Sequence, residues 1–369
     1  MKVLIVNPIM YTNETNNIRK VKSLKDTLMY NVCLGFLKRG DIPTLIASAD
    51  YKPTEKEKYP FKIIFFKTRF RKICYPRAIP WLVGFRKFCK ENKNKYDYVI
   101  CSESFSLTTL IAVHIFKEKC LVWQEMAKHQ KAFHHLPSKI WHNTVVRFFY
   151  GKVLIVPRSK EAQTFISKYS HNVSNQIIEH GINIDVFKNV PRANAKQFIV
   201  VSQLIERKQI DKILYAFSDF LTKYDDNYIL KICGDGVLRE KLINLAKKLE
   251  IQNNVIFMGN LTHQQLTYEY ANSKALLVYT KQDNNMVSIL ESIASGTPIL
   301  TTSVPYNSRY ISAKKLGIVK DNWNATDLAS MIENYNMFSN NCKKYRDKLS
   351  SSHSAIEFEK LTKSTGLLG

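Results

Sequence analysis

The chain has 369 residues, 45% of them hydrophobic, which is enough for a packed core and excludes general disorder. Lys and Arg number 55 against 31 Asp and Glu, a formal net charge of +24 that calls for an anionic partner. The excess is uneven: residues 1–200 hold 34 basic and 14 acidic side chains, residues 201–369 hold 21 and 17, so the two halves are expected to meet different partners. Seven cysteines, an odd count without any CxxC, argue against a disulfide framework or a zinc site and fit a reducing cytosol. The opening apolar run, Val3–Val6, is too short for a signal-peptide core, and no apolar run reaches the roughly 18 residues of a membrane-spanning helix.

Val3–Val6 reads as a buried parallel strand that opens a doubly wound sheet. A helical period follows over Lys25–Lys38 and stops at Gly40. Further strands are expected at Thr44–Ala47, Lys62–Phe66, Tyr98–Cys101, Cys120–Trp123 and Val153–Val156, and a helix over Glu161–Lys168. Pro191–Asn194 reads as a linker between a domain at 1–190 and a second at 197–345. The second repeats the alternation. Strands are expected at Gln197–Val201, Tyr228–Cys233, Val255–Met258 and Ala275–Tyr279. Helices are expected at Gln209–Tyr224, Leu238–Leu249, Gln264–Asn272 and Val287–Ser295, the last capped by Gly296. Residues 346–369 read as a helical tail packing back on the first domain. The result is two Rossmann-like α/β halves.

None of the twelve glycines forms GxGxxG, which argues against a dinucleotide-binding dehydrogenase, and no DxD pair is present to chelate a metal for a nucleotide sugar. The informative turns lie in the second half. Arg207 and Lys208 sit between a strand and a helix, at the crevice where open α/β sheets bind ligands. Cations at a helix start oppose its dipole, so an anion such as a diphosphate is expected there. Gly234-Asp235-Gly236 reads either as a close backbone approach to a ligand or as a plain tight turn. Asp283-Asn284-Asn285-Met286 joins a strand to a helix whose first amides, at Val287 and Ser288, suit a phosphate. Glu291, one turn further, reads either as a carboxylate for two ribose hydroxyls or as an exposed helical residue.

Taken in order, Ser202-Gln203-Leu204 through Lys208, Gly234-Asp235-Gly236, Val255–Gly259, Asp283-x7-Glu291 and Ser295-Gly296-Thr297-Pro298 resemble glycosyltransferase family 4. His180-Gly181-Ile182-Asn183 with Phe187 is similar to that family's motif before the linker. The resemblance covers about residues 150–320. It implies the GT-B fold, two Rossmann-like doubly wound domains facing a central cleft, and a retaining, metal-independent transfer from a nucleotide-diphosphate sugar. It also implies roles. Lys208 matches the lysine on the donor diphosphate, with Arg207 as second cation because Gln203 stands where the family has arginine. Asp283 stands at the donor sugar, one methylene shorter than the family's glutamate. Asn284, Asn285 and Met286 line the sugar, Val287 and Ser288 the phosphate, Gly234 and Met258 the nucleotide side, and Glu291 the ribose. In the first half, Glu125, after Trp123-Gln124, stands where the family often has a histidine, and His129 lies close by; either one has an acceptor-side role or it is structural. The loop Tyr11–Asn17 lacks the family's glycines.

Residues 61–95 interleave cations with aromatics, among them Arg69, Arg71, Lys72, Arg77, Arg86, Phe65, Phe66, Phe70, Trp81 and Phe85. That mixture suits the headgroup zone of an anionic bilayer. The expected partners are thus a nucleotide-sugar co-substrate, UDP-linked, with no resident cofactor or metal, a lipid-linked or glycan acceptor, and the inner face of a membrane. Two alternatives stand beside the transferase: a basic nucleic-acid-binding protein and a GT-B nucleotide-sugar epimerase.

Overall fold

The computed structural model describes residues 1–10, 23–54, 56–70, 80–130, 132–193, 195–283 and 285–366, and of Asp26 and Ala132 the backbone alone. The chain divides into two units, Met1–Gly181 with Ser351–Gly369, and Ile182–Ser350.

The first unit begins β1 (Lys2–Val6), α1 (Leu28–Lys38), β2 (Ile42–Ser48), β3 (Lys62–Phe66) and a short hairpin, β4 (Thr68–Arg69) with β5 (Trp81–Leu82). It continues α2 (Phe85–Glu91), β6 (Tyr98–Ser102), α3 (Leu107–Phe116), β7 (Cys120–Gln124) and α4 (Leu136–Trp141). A π turn (His142–Val146), α5 (Arg147–Phe149), β8 (Leu154–Pro157) and α6 (Lys160–Ile166) follow. Six strands form one parallel sheet in the order β3-β2-β1-β6-β7-β8. Val3–Val6 are fully buried, because a strand with helices on both faces has no polar side.

The second unit runs α7 (Asp185–Lys188), β9 (Gln197–Val201), α8 (Ile210–Lys223), β10 (Ile229–Cys233), α9 (Arg239–Lys248), β11 (Val255–Gly259) and α10 (His263–Ala271). Then come β12 (Ala275–Leu277), α11 (Val287–Ser295), β13 (Ile299–Thr301), α12 (Ser308–Ala313), β14 (Gly317–Val319), α13 (Ala325–Glu333) and α14 (Tyr335–Tyr345). Its parallel sheet has the order β11-β10-β9-β12-β13-β14, the same topology as the first. α8 buries Ile210, Ile213, Leu214, Phe217, Phe220 and Leu221, a stripe at helical spacing, with Phe217 and Phe220 edge-on to Phe198 of β9. α11 ends where expected, Gly296 taking a left-handed φ of 72°.

In both units strand order reverses beside the first strand, between β1 and β6 and between β9 and β12. Such switch points are where doubly wound sheets open a ligand crevice at the carboxyl ends of their strands. The last helix, α15 (Ser351–Ser364), belongs to the first unit, where Phe358 meets Phe36 of α1 and stands edge-on to Trp123 of β7.

Two expectations need correction. The chain divides at Gly181 and Ile182, ahead of the linker expected at Pro191–Asn194. Ile182, Ile184 and Phe187 are buried in the second unit's core, so residues 182–190 go with that unit rather than with residues 1–181. Of the aromatics assigned to a bilayer, Phe85 lies in the core and Phe65 and Phe66 are half-buried, Phe66 packing edge-on to Phe85 and Phe88. Phe70 and Trp81 are exposed and meet edge to face, while Arg71, Lys72 and Arg77 lie outside the described residues.

Candidate active site

The turn after β9 and the turn after β12 are tied together at the second unit's switch point. Lys281 N donates to the Arg207 carbonyl at 2.8 Å, and the Thr280 hydroxyl lies 3.1 Å from the same oxygen. Arg207 and Lys208 lie in a 3₁₀ turn, Glu206–Lys208, immediately ahead of α8. Both reach Asp283: Lys208 Nζ donates to Asp283 Oδ2 at 2.6 Å and Arg207 Nη1 at 3.0 Å, with Thr280 Oγ1 a third donor at 3.0 Å. Arg207 Nη1 also donates to the Gln282 carbonyl at 2.9 Å. Lys208 is only 8% exposed. The anion that two cations at a helix start call for is therefore supplied internally by Asp283, leaving the trio one positive charge in excess. Asp283 was expected at the donor sugar; here its Oδ2 is engaged by the cations.

Asp283 leads directly into α11, whose N-cap residue, Met286, gives no side-chain cap. The first-turn amides of Val287 and Ser288 follow, Ser288 buried and Val287 partly exposed. The approach is held by Asn307, which the sequence reading missed: its Oδ1 accepts from Met286 N at 2.7 Å, and its Nδ2 donates to the Tyr310 hydroxyl at 3.0 Å. Asn285 lies in this approach, and Asn284 lies outside the described residues.

Glu291 is buried on α11 rather than exposed. Tyr270 Oη donates to its Oε2 at 3.0 Å, and His263 Nδ1 lies 3.6 Å from its Oε1. Burial raises the Glu291 carboxyl above the usual carboxylate range, with His263 and Tyr270 opposing.

Gln203 and Gly234 are brought together, but by packing. The Ser202 amide donates to the Cys233 carbonyl and Leu204 N to the Asp235 carbonyl, both at 3.0 Å, and a Cβ on Gly234 would stand 1.9 Å from the Ser202 carbonyl oxygen. The glycine admits the neighbouring loop, and its φ of 135° excludes ordinary side chains. Gly234 N donates to the Gly259 carbonyl at 2.7 Å, which links this turn to the end of β11 beside half-buried Met258. Gly234→Ala is expected to lower the melting temperature by several degrees, the effect of about 1–3 kcal/mol of backbone strain. Thermal unfolding checks this, and an unchanged curve would show that the Ser202 carbonyl does not press on position 234.

The first unit carries a second cluster at its own carboxyl edge. Glu103 follows β6, Glu125 follows β7 and Arg158 follows β8. Arg158 Nη1 donates to Glu125 Oε2 at 2.8 Å and its guanidinium lies 3.8 Å from the centre of the Trp123 ring. Glu103 accepts from the backbone amides of Glu125 and Met126 at 2.9 and 3.2 Å. Burial pushes the Glu103 carboxyl up to about 7, with Arg158 opposing and Glu125 adding to it. Glu125 was expected here; Glu103 and Arg158 were not. His129 is structural: Nδ1 pairs with Ser138 Oγ at 3.0 Å and Nε2 with Tyr169 Oη at 2.9 Å, which occupies both ring nitrogens. Among the described residues no group of three or more His, Cys, Asp or Glu side chains is placed to hold a metal ion.

Two doubly wound units of one topology make up the GT-B fold. The second unit, residues 182–350, is matched by the model of the family described as glycosyl transferases group 1. The chain is 28% identical over 193 residues to the alpha-monoglucosyldiacylglycerol synthase of Streptococcus pneumoniae, covering 48% of this chain and 43% of that one. It is 24% identical over 147 residues to the poly(ribitol-phosphate) alpha-N-acetylglucosaminyltransferase of Staphylococcus aureus, covering 39% and 29%. The aligned stretch thus spans less than half the length of either relative. Among solved structures, Anabaena HepE in complex with UDP is similar in fold, with a TM-score of 0.69 at 12% identity, covering 99% of this chain and 100% of that one.

Proposed function

We propose that the protein moves a sugar from a nucleotide-diphosphate sugar, UDP-linked, to a membrane-associated glycolipid or polysaccharide precursor, with retention at the anomeric carbon. The observation that carries this reading is the convergence of Arg207 and Lys208 on one carboxylate at the switch point, next to the uncapped start of α11. A diphosphate is the ligand such a cation pair and free helix amides suit. When the glycosidic bond breaks, the leaving diphosphate gains charge, and Lys208 and Arg207 are placed to neutralise it. Buried Glu291 offers a carboxylate to the ribose diol. In the first unit, Glu125 offers a carboxylate to an acceptor hydroxyl, whose proton the departing diphosphate itself can take.

The relatives support the substrate classes: one is named for a glycolipid product and another for a poly(ribitol-phosphate) acceptor, and the fold neighbour holds UDP. The acceptor reading places the protein in the cytoplasm, on the inner face of a membrane. No helix among the described residues is long and apolar enough to cross one. The nucleic-acid and epimerase readings have no observation of their own in the site.

The test is turnover of a panel of nucleotide sugars with lipid extracts as acceptor. One UDP-sugar is expected to be consumed, EDTA to leave the rate within about twofold because the two cations do the work of a metal on the diphosphate, and the product to keep the donor's anomeric configuration. Loss of activity in EDTA that magnesium restores, or an inverted product, would overturn the mechanism.

A further inference from the structure

Phe133 to Phe149 carry large apolar side chains outward as well as inward. The buried line of α4, the π turn and α5 is Ser138, His142, Val146 and Tyr150, four residues apart at each step. Val146 and Tyr150 join the first unit's core, and the line is tied to the Ser104 loop: His142 Nε2 to Ser104 Oγ at 3.3 Å, and Trp141 Nε1 and Tyr150 Oη to the Ser104 carbonyl at 2.9 and 3.1 Å. The outward face is apolar. Phe133 is 65% exposed, Leu136 58%, Ile140 54%, Phe148 73% and Phe149 67%. Phe133 is held out by a left-handed run, Phe133 to His135, with φ of 47°, 52° and 69°. Five large apolar side chains within one short segment exceed the scattered exposure that ordinary surfaces show.

The charge around them is of one sign. No Asp or Glu occurs among the 35 residues between Glu125 and Glu161. Lys128, Lys139, Arg147 and Lys152 are exposed along the same stretch. We propose that this face of the first unit docks on an anionic lipid bilayer, with Phe148, Phe149, Ile140, Leu136 and Phe133 entering the headgroup–acyl boundary and the cations meeting lipid phosphates. A second copy of the chain fits less well, because a two-fold contact on this face sets Lys139 and Arg147 against their own images with no carboxylate between them. The surface is distinct from residues 61–95, where the interleaved aromatics are partly core. The proposal gives the membrane-associated acceptor reading a place on the molecule and rests on that reading only for its biological purpose.

The test is sedimentation of the full chain with phosphatidylglycerol–phosphatidylcholine vesicles. The wild type is expected to pellet with these and far less with pure phosphatidylcholine. Replacing Ile140, Phe148 and Phe149 by Ser should weaken binding by roughly tenfold or more, and K139E with R147E should do so most at low salt. Phe70→Ser with Trp81→Ser, on the β4–β5 hairpin, should leave it within about twofold. UDP-sugar hydrolysis without acceptor, unchanged in all these variants, keeps a failed docking face separate from a failed donor assignment. Wild-type binding by the Ser triple variant overturns the proposal. So does loss of binding only in the hairpin variant, or a wild-type dimer that the Ser substitutions dissolve without any vesicle binding.

Discussion

Lys208→Ala is expected to lower the turnover of sugar transfer by roughly 10²–10³-fold, about 2.7–4 kcal/mol, the cost of losing one preorganised charge at a developing anion. The ammonium is nearly buried and lies 2.6 Å from Asp283, so it is fixed by its surroundings before any donor arrives. A diphosphate in the donor already carries charge, but it gains more as the sugar departs. An interaction that strengthens along that path appears in kcat more than in KM. Arg207, more exposed and tied also to the Gln282 carbonyl, keeps part of the site's charge in the variant. Steady-state kinetics at saturating donor measures the effect, and near-wild-type turnover would sink the assignment.

The internal carboxylate sharpens that reading. Asp283 takes three donors on one oxygen, so an incoming diphosphate must share or displace it from two cations. Asp283→Asn removes the competing charge while keeping the shape. Nucleoside diphosphate affinity should hold or rise in that variant, while it falls in Lys208→Ala. A purely structural ion pair behaves otherwise, since removal of either partner leaves the other uncompensated and harms both readouts alike.

The parts of this arrangement legible in the sequence were those carried by continuous runs. Val3–Val6, Cys120–Trp123 and Gln197–Val201 are apolar on both faces, and the turns that follow them could be placed from the chain order alone. Ile299–Thr301 and Gly317–Val319 are three-residue strands, too short for any period to register, and they complete the second sheet only by pairing with neighbours already present. Glu103 was invisible for a different reason. It follows β6, and nothing local says that β6 lies beside β1 at the reversal of strand order. Arg158 was hidden likewise, since its partner Glu125 is 33 positions away. The aromatic-rich stretch 61–95 misled because Phe85 and Phe88, three apart on one helix, read equally well as a surface stripe or as the packing face that meets Phe66. At α4 and α5 large apolar side chains face outward as well as inward, and nothing in the local sequence tells the two sets apart.

Glu291→Gln should separate the stability of the second unit from its function. The carboxylate is buried on α11 with a Tyr270 hydroxyl on one oxygen and His263 near the other. Burial raises its pKa, so the native state binds more protons than the unfolded chain between the ordinary carboxylate value and the raised one. The stability this group contributes is fully present below the ordinary value and is lost as pH rises through the raised one. At neutral pH the glutamine, uncharged, should therefore melt no lower than the wild type and somewhat higher. A ribose diol reverses the preference, because two hydroxyl donors favour the ionised form. Nucleotide binding should then release protons as pH falls toward the raised value, and affinity should weaken over the same range. Glutamine can accept through one oxygen only, and UDP affinity should fall by roughly ten- to a hundredfold, about 1.5–3 kcal/mol, the loss of a charge-assisted hydrogen bond. Calorimetry in buffers of different ionisation enthalpy reads both the affinity and the proton count. Unchanged affinity with an unchanged proton count would make Glu291 a residue of the helix and leave the ribose to be held elsewhere.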